Sequence, residues 1–498
     1  MANLKSLLKD TAIYGISSIA GRFINYLLVP IQTAAWAASG GQYGVVTNIY
    51  AYTALLLVIL TYGMETTFFR YANKTEENPQ TVYTTTLISV GATALLFILL
   101  VVSFIHPISS FMGYAAHPEW VAVMAICVAI DAFKCIPFAY LRYKKRPIKF
   151  AIIQLANIVL NVVLNITYLF ILPALKLNPF GLYDDNFTLE VGMVFYINLV
   201  CTGLVTLMFW KELTGFKYRL DPQLLRRMLR YSWPLLILGI AGILNQTFDK
   251  IAFPFLYHGT DAKQELSIYG ATVKIAMIMA MITQAFRYAY EPFVFGKAKD
   301  KDNRQTYAKA MKYFIIFTLL AFLIVMGYMD ILRYIIRNHD YWPGLRVIPI
   351  VMAAEIMMGV YFNLSFWYKL TDRTIWGAYF SGIGCAVLIA VNVIFVPQYS
   401  YMASAWGGFV GYGIAMLLSY FVGQKYYPIN YPIKEIMVYV VLAIGLTLGM
   451  IWSNQELATL PAILVNTLLV LVFVVYTVKR DFHLSSFPVI GKYFKSRQ

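Results

Sequence analysis

Charged side chains interrupt several long apolar stretches of the sequence, where a charge is energetically unfavourable. The basic residues within these stretches are Arg22, Lys134, Lys250, Lys274 and Arg287. Placing a charge in the middle of a bilayer costs at least about 2.5–3.5 kcal/mol, so such a residue usually faces a cavity or a partner. Lysine and arginine also supply the positive charge and the donors that phosphate oxygens accept. These residues therefore predict a site for an anionic, phosphate-bearing ligand.

A structural ion pair is the alternative interpretation for each of these charges. Asp131 and Lys134 are three residues apart, close enough to pair on one helical face, and we favour pairing for them. Arg22, with Asn25 one turn further on, has no acidic residue one turn away, so we favour a ligand role for it. Lys250 and Lys274 remain open between the two roles, whereas Arg287 lies close enough to a helix end to snorkel.

Acidic and amide side chains within the stretches add two further candidate roles. The candidates for binding a coupling proton or sodium ion are Glu355, Asp249 and Asp131. A partnership with a buried lysine is the alternative for these acids. Asn157, Asn161 and Asn165 recur every four residues and form one polar stripe along a helix. These amides could bind sugar hydroxyls, or they could hydrogen-bond to neighbouring helices.

The sequence contains no residue constellation that is typical of an enzyme. Its five histidines have no metal-ligand spacing, and it has no Walker-type glycine loop for a nucleotide. Asp184-Asp185 is an acidic pair on a short loop, where a solvated turn explains it better than a glycosyltransferase site does. We therefore predict that the protein is not an enzyme and holds no metal or organic cofactor.

The elements that carry these residues are predicted to be membrane-spanning helices. Hydrophobic residues make up 60% of the 498-residue chain and charged residues 13%, well outside the average for soluble proteins. About 20 apolar residues suffice for a helix to cross the hydrocarbon core. The predicted spans are Thr11–Trp36, Tyr43–Phe69, Val82–Ile108, Pro118–Leu141, Ile148–Leu172, Phe187–Trp210, Leu229–Leu256, Glu265–Pro292, Met311–Asp330, Arg346–Lys369, Thr374–Val396, Tyr401–Gln424, Ile433–Trp452 and Ala458–Val478. The fold class is thus an all-α polytopic membrane protein with 14 transmembrane helices.

Lysine and arginine collect in every second loop, which predicts the orientation of the chain. Short loops rich in these residues stay in the cytoplasm, so both termini are predicted to be cytoplasmic. The basic residues placed on the opposite side are Lys176, Lys263, Arg333, Arg337 and Arg346. The net charge of +16 therefore reflects the basic loops that orient the chain in the membrane. We expect these loops to contact anionic lipid headgroups rather than nucleic acid.

Internal similarity divides the spans into two pseudo-symmetric lobes of six helices and two C-terminal helices. Tyr43-Gly44 and Tyr269-Gly270 open corresponding spans, and Asn165 corresponds to Asn392 at nearly the same spacing. Such repeats are common in transporters. The predicted domains are an N-terminal lobe at 1–210, a linker at 211–229, a C-terminal lobe at 230–424, and two helices with a basic tail at 425–498.

The linker contains its own helix signal. Asp221-Pro222 is typical of a helix start, with an N-cap acid followed by proline in the first turn. Leu224, Leu225 and Met228 then fall on one side, and arginines lie largely opposite. This pattern predicts a short amphipathic helix on the inner membrane surface.

Three sequence segments resemble one family of membrane proteins. These segments are Lys9-Asp10-Thr11 with the later Tyr43-Gly44, the run from Leu229 to Leu235 (LRYSWPL), and Asn392–Pro397 (NVIFVP) followed by Tyr399 and Ala403. They are similar to the lipid-linked oligosaccharide flippases (Wzx-type) of the multidrug/oligosaccharidyl-lipid/polysaccharide (MOP) exporter superfamily. The resemblance covers essentially the whole chain.

This resemblance implies a flippase that moves a polyprenyl-diphosphate-linked oligosaccharide across the bacterial cytoplasmic membrane for surface polysaccharide biosynthesis. The implied mechanism is alternating access through a central cationic cavity, and a polysaccharide polymerase and other assembly proteins are the implied partners. Three alternatives stay open: a lipid II flippase of peptidoglycan synthesis, a cation-coupled multidrug exporter of the same superfamily, and a non-transporting scaffold of a polysaccharide assembly complex. Buried charges disfavour the scaffold, because scaffolding does not require them.

Overall fold

The computed structural model describes residues 24, 26–73, 77–259, 261–296, 303–371 and 373–481, and their regular secondary structure is entirely helical. The longer helices are α1 (Leu28–Ala35), α2 (Gln42–Thr61), α3 (Met64–Ala72), α4 (Pro79–Ser103), α5 (Ile105–Phe111), α6 (Pro118–Tyr143), α7 (Pro147–Ile166), α8 (Gly192–Leu207), α9 (Pro222–Leu256), α10 (Ala262–Gly296), α11 (Asn303–Gly327), α12 (Ile348–Leu364), α13 (Phe366–Leu370), α14 (Ile375–Tyr399), α15 (Tyr401–Tyr426), α16 (Ile433–Glu456) and α17 (Thr459–Asp481). Short α-helical turns occur at Leu172–Ala174, Trp210–Leu213 and Met329–Leu332. A π-helical turn at Thr167–Ile171 extends α7.

Twelve helical segments within the described residues are long and apolar enough to cross a membrane, judged by length and composition. The shorter helix α8 is also apolar. Most of the first predicted span, Thr11–Trp36, falls outside the described residues, and only its end is seen as α1. The all-α polytopic fold is therefore confirmed, while the count of 14 spans remains a prediction.

The second predicted span is broken into α2 and α3. Tyr62 and Gly63, at the break, both have positive φ angles of 33° and 71°. A tyrosine rarely adopts this conformation, and here its hydroxyl lies 2.7 Å from Ser89 Oγ of α4. The break places the N-terminus of a new helix inside an apolar segment, as in the discontinuous helices of transporters.

The chain divides into two compact units. Unit one comprises Met1–Ala271, Asn338–Pro343 and Cys385–Gly407, and unit two comprises Thr272–Arg337, Gly344–Gly384 and Gly408–Gln498. These boundaries fall within α10, α14 and α15 and do not follow the predicted division at 210, 229 and 424. The reason is that α9 packs along α2, which makes the seventh predicted span part of unit one.

The predicted linker 211–229 is not a separate helix on the membrane surface. Asp221 does cap a helix, since its Oδ1 accepts the backbone N–H groups of Gln223 and Leu224 at 3.0 Å. This helix, however, is α9, which continues without interruption for 35 residues. Leu224 and Met228 are fully buried against α3 and α4 within unit one. The apolar face therefore packs on protein rather than on lipid, which corrects that prediction.

Helices α2 and α10 approach closely at the two glycines that the sequence repeat matched. A Cβ added to Gly44 of α2 would lie 2.2 Å from the backbone carbonyl oxygen of Lys263 in α10. A Cβ on Gly270 of α10 would lie 2.3 Å from Thr47 Oγ1 of α2. The Gly44 N–H also donates to Ser267 Oγ at 2.6 Å. Gly44 is needed because the backbone of α10 lies too close for a side chain, and Gly270 leaves the space that the Thr47 side chain occupies.

Polar contacts at both ends of α11 hold the two C-terminal helices in unit two. The buried Lys312 of α11 contacts the carboxylates of Glu435 in α16 and Asp481 in α17. At the other end of α11, Asn466 of α17 donates to the Gly327 carbonyl at 2.8 Å. Between these polar contacts, buried apolar side chains of α11, α16 and α17 form one core cluster. The last two helices are thus packed against α11 rather than loosely appended.

We expect Gly44→Ala to lower the free energy of unfolding by about 1–3 kcal/mol, because the methyl group would collide with a backbone oxygen that cannot move aside. Unfolding can be followed in detergent through exposure of the buried Cys127 and Cys201 to a thiol-reactive dye. Gly203→Ala in α8 is the control, since nothing lies within 4 Å of its Cβ position. Equal stability of the two variants would contradict the close crossing.

We expect Lys312→Met to destabilise the protein by about 3–5 kcal/mol, because it leaves the buried Asp481 carboxylate without its cation. The double variant Lys312→Met/Asp481→Asn should recover most of this loss, because the one carboxylate that still lacks its cation, Glu435, is 44% exposed and remains hydrated. Thermal unfolding in detergent measures both effects. Additive losses in the double variant would show that the ion pair does not join α11 to α17.

Candidate functional site

Asp131, Lys134 and Thr202 form one connected polar cluster inside unit one. Lys134 Nζ lies 2.7 Å from Asp131 Oδ1 and also donates to Thr202 Oγ1 on α8. Thr202 Oγ1 in turn donates to Asp131 Oδ1 at 2.5 Å. The lysine side chain is 5% exposed and the aspartate side chain 38% exposed. The structural pairing that the sequence favoured is present, and it presents a partly exposed carboxylate rather than a bare cation.

Asp249 and Lys250 form a second, more enclosed cluster in unit one. Asp249 accepts hydrogen bonds from Lys250 Nζ at 2.8 and 2.9 Å and from the Tyr269 hydroxyl at 2.6 Å. The Lys250 ammonium also lies 5.5 Å from the centre of the Tyr269 ring. Asn48 of α2 donates to the Lys250 carbonyl at 2.7 Å, which ties α9 to α2. Asp249 is buried and its carboxylate is already paired with Lys250, so its role in binding a coupling ion stays a prediction.

Lys274, Arg287 and Glu355 all belong to unit two. Lys274 and Glu355 are half-buried on α10 and α12, and neighbouring groups engage both side chains. Arg287 is exposed, and its guanidinium lies 4.9 Å from the centre of the Phe362 ring. The ligand roles of all three residues remain predictions.

The three asparagines of the predicted stripe differ in their hydrogen bonds. Asn165 donates to the backbone oxygen and to Oδ1 of Asn161, at 2.8 and 3.0 Å. Asn161 Nδ2 lies 3.4 Å from Oδ1 of Asn198 on α8. Asn157, one turn before, has a buried Oδ1 that accepts no hydrogen bond from any residue the structure describes. Asn161 and Asn165 thus bond within the protein through their amide nitrogens, whereas Oδ1 of Asn165, like Oδ1 of Asn157, accepts no hydrogen bond from the described residues.

The repeat-related Asn392 bonds in the same way as Asn165. It is fully buried and donates to the carbonyl oxygen of Leu388, four residues earlier in α14. Its Oδ1 accepts a hydrogen bond from Ser404 of α15 at 2.8 Å. At equivalent positions of the repeat, each asparagine side chain thus donates a hydrogen bond to the carbonyl oxygen four residues earlier in its own helix.

Two acidic positions outside the main clusters are explained by local contacts. Glu65, in the first turn of α3, pairs with Arg142 of α6. Asp184 Oδ1 accepts the N–H groups of Thr188 and Asn186 at 2.7 and 3.1 Å in the loop before α8. The Thr188 bonds hold the pKa of the Asp184 carboxyl below its usual value. This acid therefore closes a turn, as the sequence analysis favoured.

Arg22 and Asn25 lie outside the described residues, so their predicted ligand roles stay predictions. The partners that complete the clusters, Thr202, Tyr269 and Asn48, could not be identified from the sequence. A threonine or tyrosine in an apolar helix gives no periodic signal that it will meet a particular charge. Gln154, one turn before Asn157, was missed, although it extends the same polar stripe.

The fold and its buried polar clusters define a polytopic membrane transporter. Residues 7–289 match the sequence profile of the family described as "Polysaccharide biosynthesis protein". Because the match spans more than half of the chain, the protein belongs to this family of MOP-superfamily flippases, whose members are transporters rather than enzymes. A search of curated protein sequences finds no match.

Solved structures share the fold at low sequence identity. The lipid II flippase MurJ in an inward closed conformation has a TM-score of 0.73 at 14% identity, covering 94% of this chain and 99% of that chain. An inward-facing multidrug resistance MATE family transporter has a TM-score of 0.63 at 14% identity, covering 82% and 94%. A MOP superfamily transporter from Pyrococcus furiosus has a TM-score of 0.53 at 16% identity, covering 84% and 95%.

We expect Asp131→Asn to destabilise the protein more than Lys134→Met does, because Lys134 is the more buried charge and would lose its carboxylate. The double variant should be more stable than Asp131→Asn alone, since it contains no unpaired charge. Unfolding temperatures of the purified protein in detergent give this double-mutant comparison. Independent, additive effects of the two substitutions would argue against a structural pair and in favour of separate ligand roles.

Proposed function

We propose that this protein flips a polyprenyl-diphosphate-linked oligosaccharide from the inner to the outer leaflet of the bacterial cytoplasmic membrane. The observation that carries the proposal is the family match over residues 7–289, whose description is polysaccharide biosynthesis. Such a substrate joins an anionic diphosphate and a polar sugar chain to a lipid. Moving it requires a polar path for the headgroup, while the lipid tail stays in the bilayer.

The charges inside the apolar helices support an anionic headgroup. Arg22 and Lys274 are the proposed diphosphate ligands, because neither has a carboxylate one turn away on its own helix. Lys134 and Lys250 are weaker candidates, since each already pairs with an aspartate. Asn25, Asn157 and Asn161 are the proposed sugar contacts. Alternating access, with a coupling proton or sodium ion at Glu355, Asp249 or Asp131, is the proposed mechanism.

A lipid II flippase of peptidoglycan synthesis is the second candidate. It is favoured by the extent of the structural similarity to MurJ, which covers 94% of this chain against 82% for the MATE transporter. At 14% identity this similarity reflects the fold and leaves the substrate open. Both candidates carry a diphosphate on a polyprenyl lipid, so the same cations would serve either one.

Complementation distinguishes the two candidates. We expect the wild-type gene to restore surface polysaccharide in a strain that lacks its oligosaccharide flippase and not to restore growth in a strain depleted of its lipid II flippase. Polysaccharide is measured by gel electrophoresis of surface glycolipid, and growth by colony formation. Rescue of the strain depleted of its lipid II flippase alone would overturn the proposed substrate and favour lipid II.

In the same assay, Arg22→Ala and Lys274→Ala should each lower polysaccharide export about tenfold or more, because each removes a charged donor worth about 1.5–3 kcal/mol. Lys309→Ala, which removes an exposed lysine near the start of α11, is the matched control and should export normally. Protein levels in the membrane must be equal for all variants. Normal export by both test variants would refute the cationic-ligand assignment.

A further inference from the structure

Three amide side chains on α7, those of Gln154, Asn157 and Asn165, have buried oxygens that accept no hydrogen bond from the residues that the structure describes, and the first two lie about one turn apart. Gln154 Oε1 and Asn157 Oδ1 are both inaccessible, and neither accepts a hydrogen bond from the residues that the structure describes. Leaving a buried acceptor unpaired costs about 1–3 kcal/mol, so such groups are rare unless they serve a purpose. Two of them on adjacent turns of one helix point to a missing donor.

The amides do not face lipid. The exposed apolar residues of α7 form one stripe, Ile148, Ile152, Val159 and Val163, each between 46% and 65% exposed. With 3.6 residues per turn, Gln154 and Asn157 lie about 150° around the helix from the centre of that stripe. They are also about 10 and 15 Å along the helix from Pro147, well inside the apolar segment. The two oxygens therefore lie on the inward face of the helix, within the membrane-spanning part of unit one.

The chemistry of the amide oxygen selects the kind of ligand. An amide oxygen only accepts hydrogen bonds, so its partner must donate one. A diphosphate in its ionised form offers acceptors and no donors, and a polyprenyl chain offers neither. Sugar hydroxyls donate and accept, and the amide nitrogens of Gln154 and Asn157 can donate in return. The two residues lie about 4.5 Å apart along the helix axis, a spacing that neighbouring hydroxyls of one sugar ring can bridge.

Their neighbours on the same stripe hold the helix in place. Asn165 and Asn161 bond to each other, and Asn161 contacts Asn198 of α8. This chain of amide contacts fixes the rotation of α7 about its axis. With the rotation fixed, Gln154 and Asn157 keep their inward orientation without bonds of their own.

We propose that Gln154 and Asn157 form a sugar subsite that recognises hydroxyl groups of the translocated headgroup. This inference rests on the proposed function and extends it: it assigns Gln154 a role, and it separates sugar recognition from the cationic residues that would bind the diphosphate. Asn165, whose amide nitrogen bonds to Asn161, is a positioning residue for the subsite.

Binding to the full-length protein in lipid nanodiscs tests the proposal. The probes are undecaprenyl diphosphate and undecaprenyl-diphosphate-N-acetylglucosamine, which differ only by the sugar. We expect wild type to bind the sugar-bearing lipid more tightly. Gln154→Leu and Asn157→Leu should each weaken that lipid about three- to tenfold, as the loss of one neutral hydrogen bond implies, and leave the bare lipid unchanged. Gln223→Leu, at an exposed amide near the start of α9, is the matched control.

The stability of the ligand-free variants provides a second readout. Gln154→Leu and Asn157→Leu should raise the unfolding temperature, because each removes an unpaired buried oxygen. Asn392→Leu should lower it, because the bonds of Asn392 to Leu388 and Ser404 are made. Lower stability of the α7 variants would show that these amides have partners of their own, which overturns the subsite.

The binding outcomes separate this inference from the function on which it rests. Failure of wild type to bind either lipid would overturn the proposed function and the subsite together. Equal binding of both lipids by wild type, or an unchanged sugar preference in the two leucine variants, would overturn the subsite alone.

Discussion

The packing of unit one depends on two helix backbones that approach more closely than a side chain permits. At the crossing of α2 and α10, Gly44 and Gly270 each face an atom of the other helix that a Cβ would strike. Close approach lets the Gly44 N–H bond to Ser267 and brings Tyr269 within reach of Asp249. Inside a bilayer the hydrophobic effect does not drive helices together. Membrane helices therefore associate through close packing at small residues and through hydrogen bonds between helices. The Asp249–Lys250 cluster is thus positioned by a crossing that only glycine allows.

Three lysines inside the described helices are neutralised by acids nearby. Lys134, Lys250 and Lys312 each contact an acid, so a ligand phosphate would compete with a carboxylate already in place. Such pairs lower the cost of holding a lysine in a membrane. They also make a lysine available to an anionic ligand only when the pair opens.

Much of the fold could be predicted from residue patterns, and the site only in outline. Long apolar runs, the Asp221-Pro222 helix start and the Asp131–Lys134 spacing each have a local cause, and each is seen in the structure. The surface helix predicted for the linker was wrong, because amphipathic periodicity does not distinguish a lipid surface from a protein surface. The asparagine stripe was predicted as one feature, but its members have different neighbours. Periodicity places side chains on a face and does not identify what that face contacts.

By itself the sequence determined that this chain is a many-helix membrane protein, which residues carry charge into the apolar segments, and which glycines and asparagines repeat. Those properties follow from composition and from spacing along a single helix. Only the tertiary structure decided which charges are paired across helices and that the start of α9 is buried against α3 and α4. It also decided that the side-chain oxygens of Gln154 and Asn157 accept no hydrogen bond from the described residues. The physical reason is that a hydrogen bond or an ion pair requires atoms within about 3–4 Å. Distances of that kind between residues far apart in the chain are set by helix packing rather than by any local pattern.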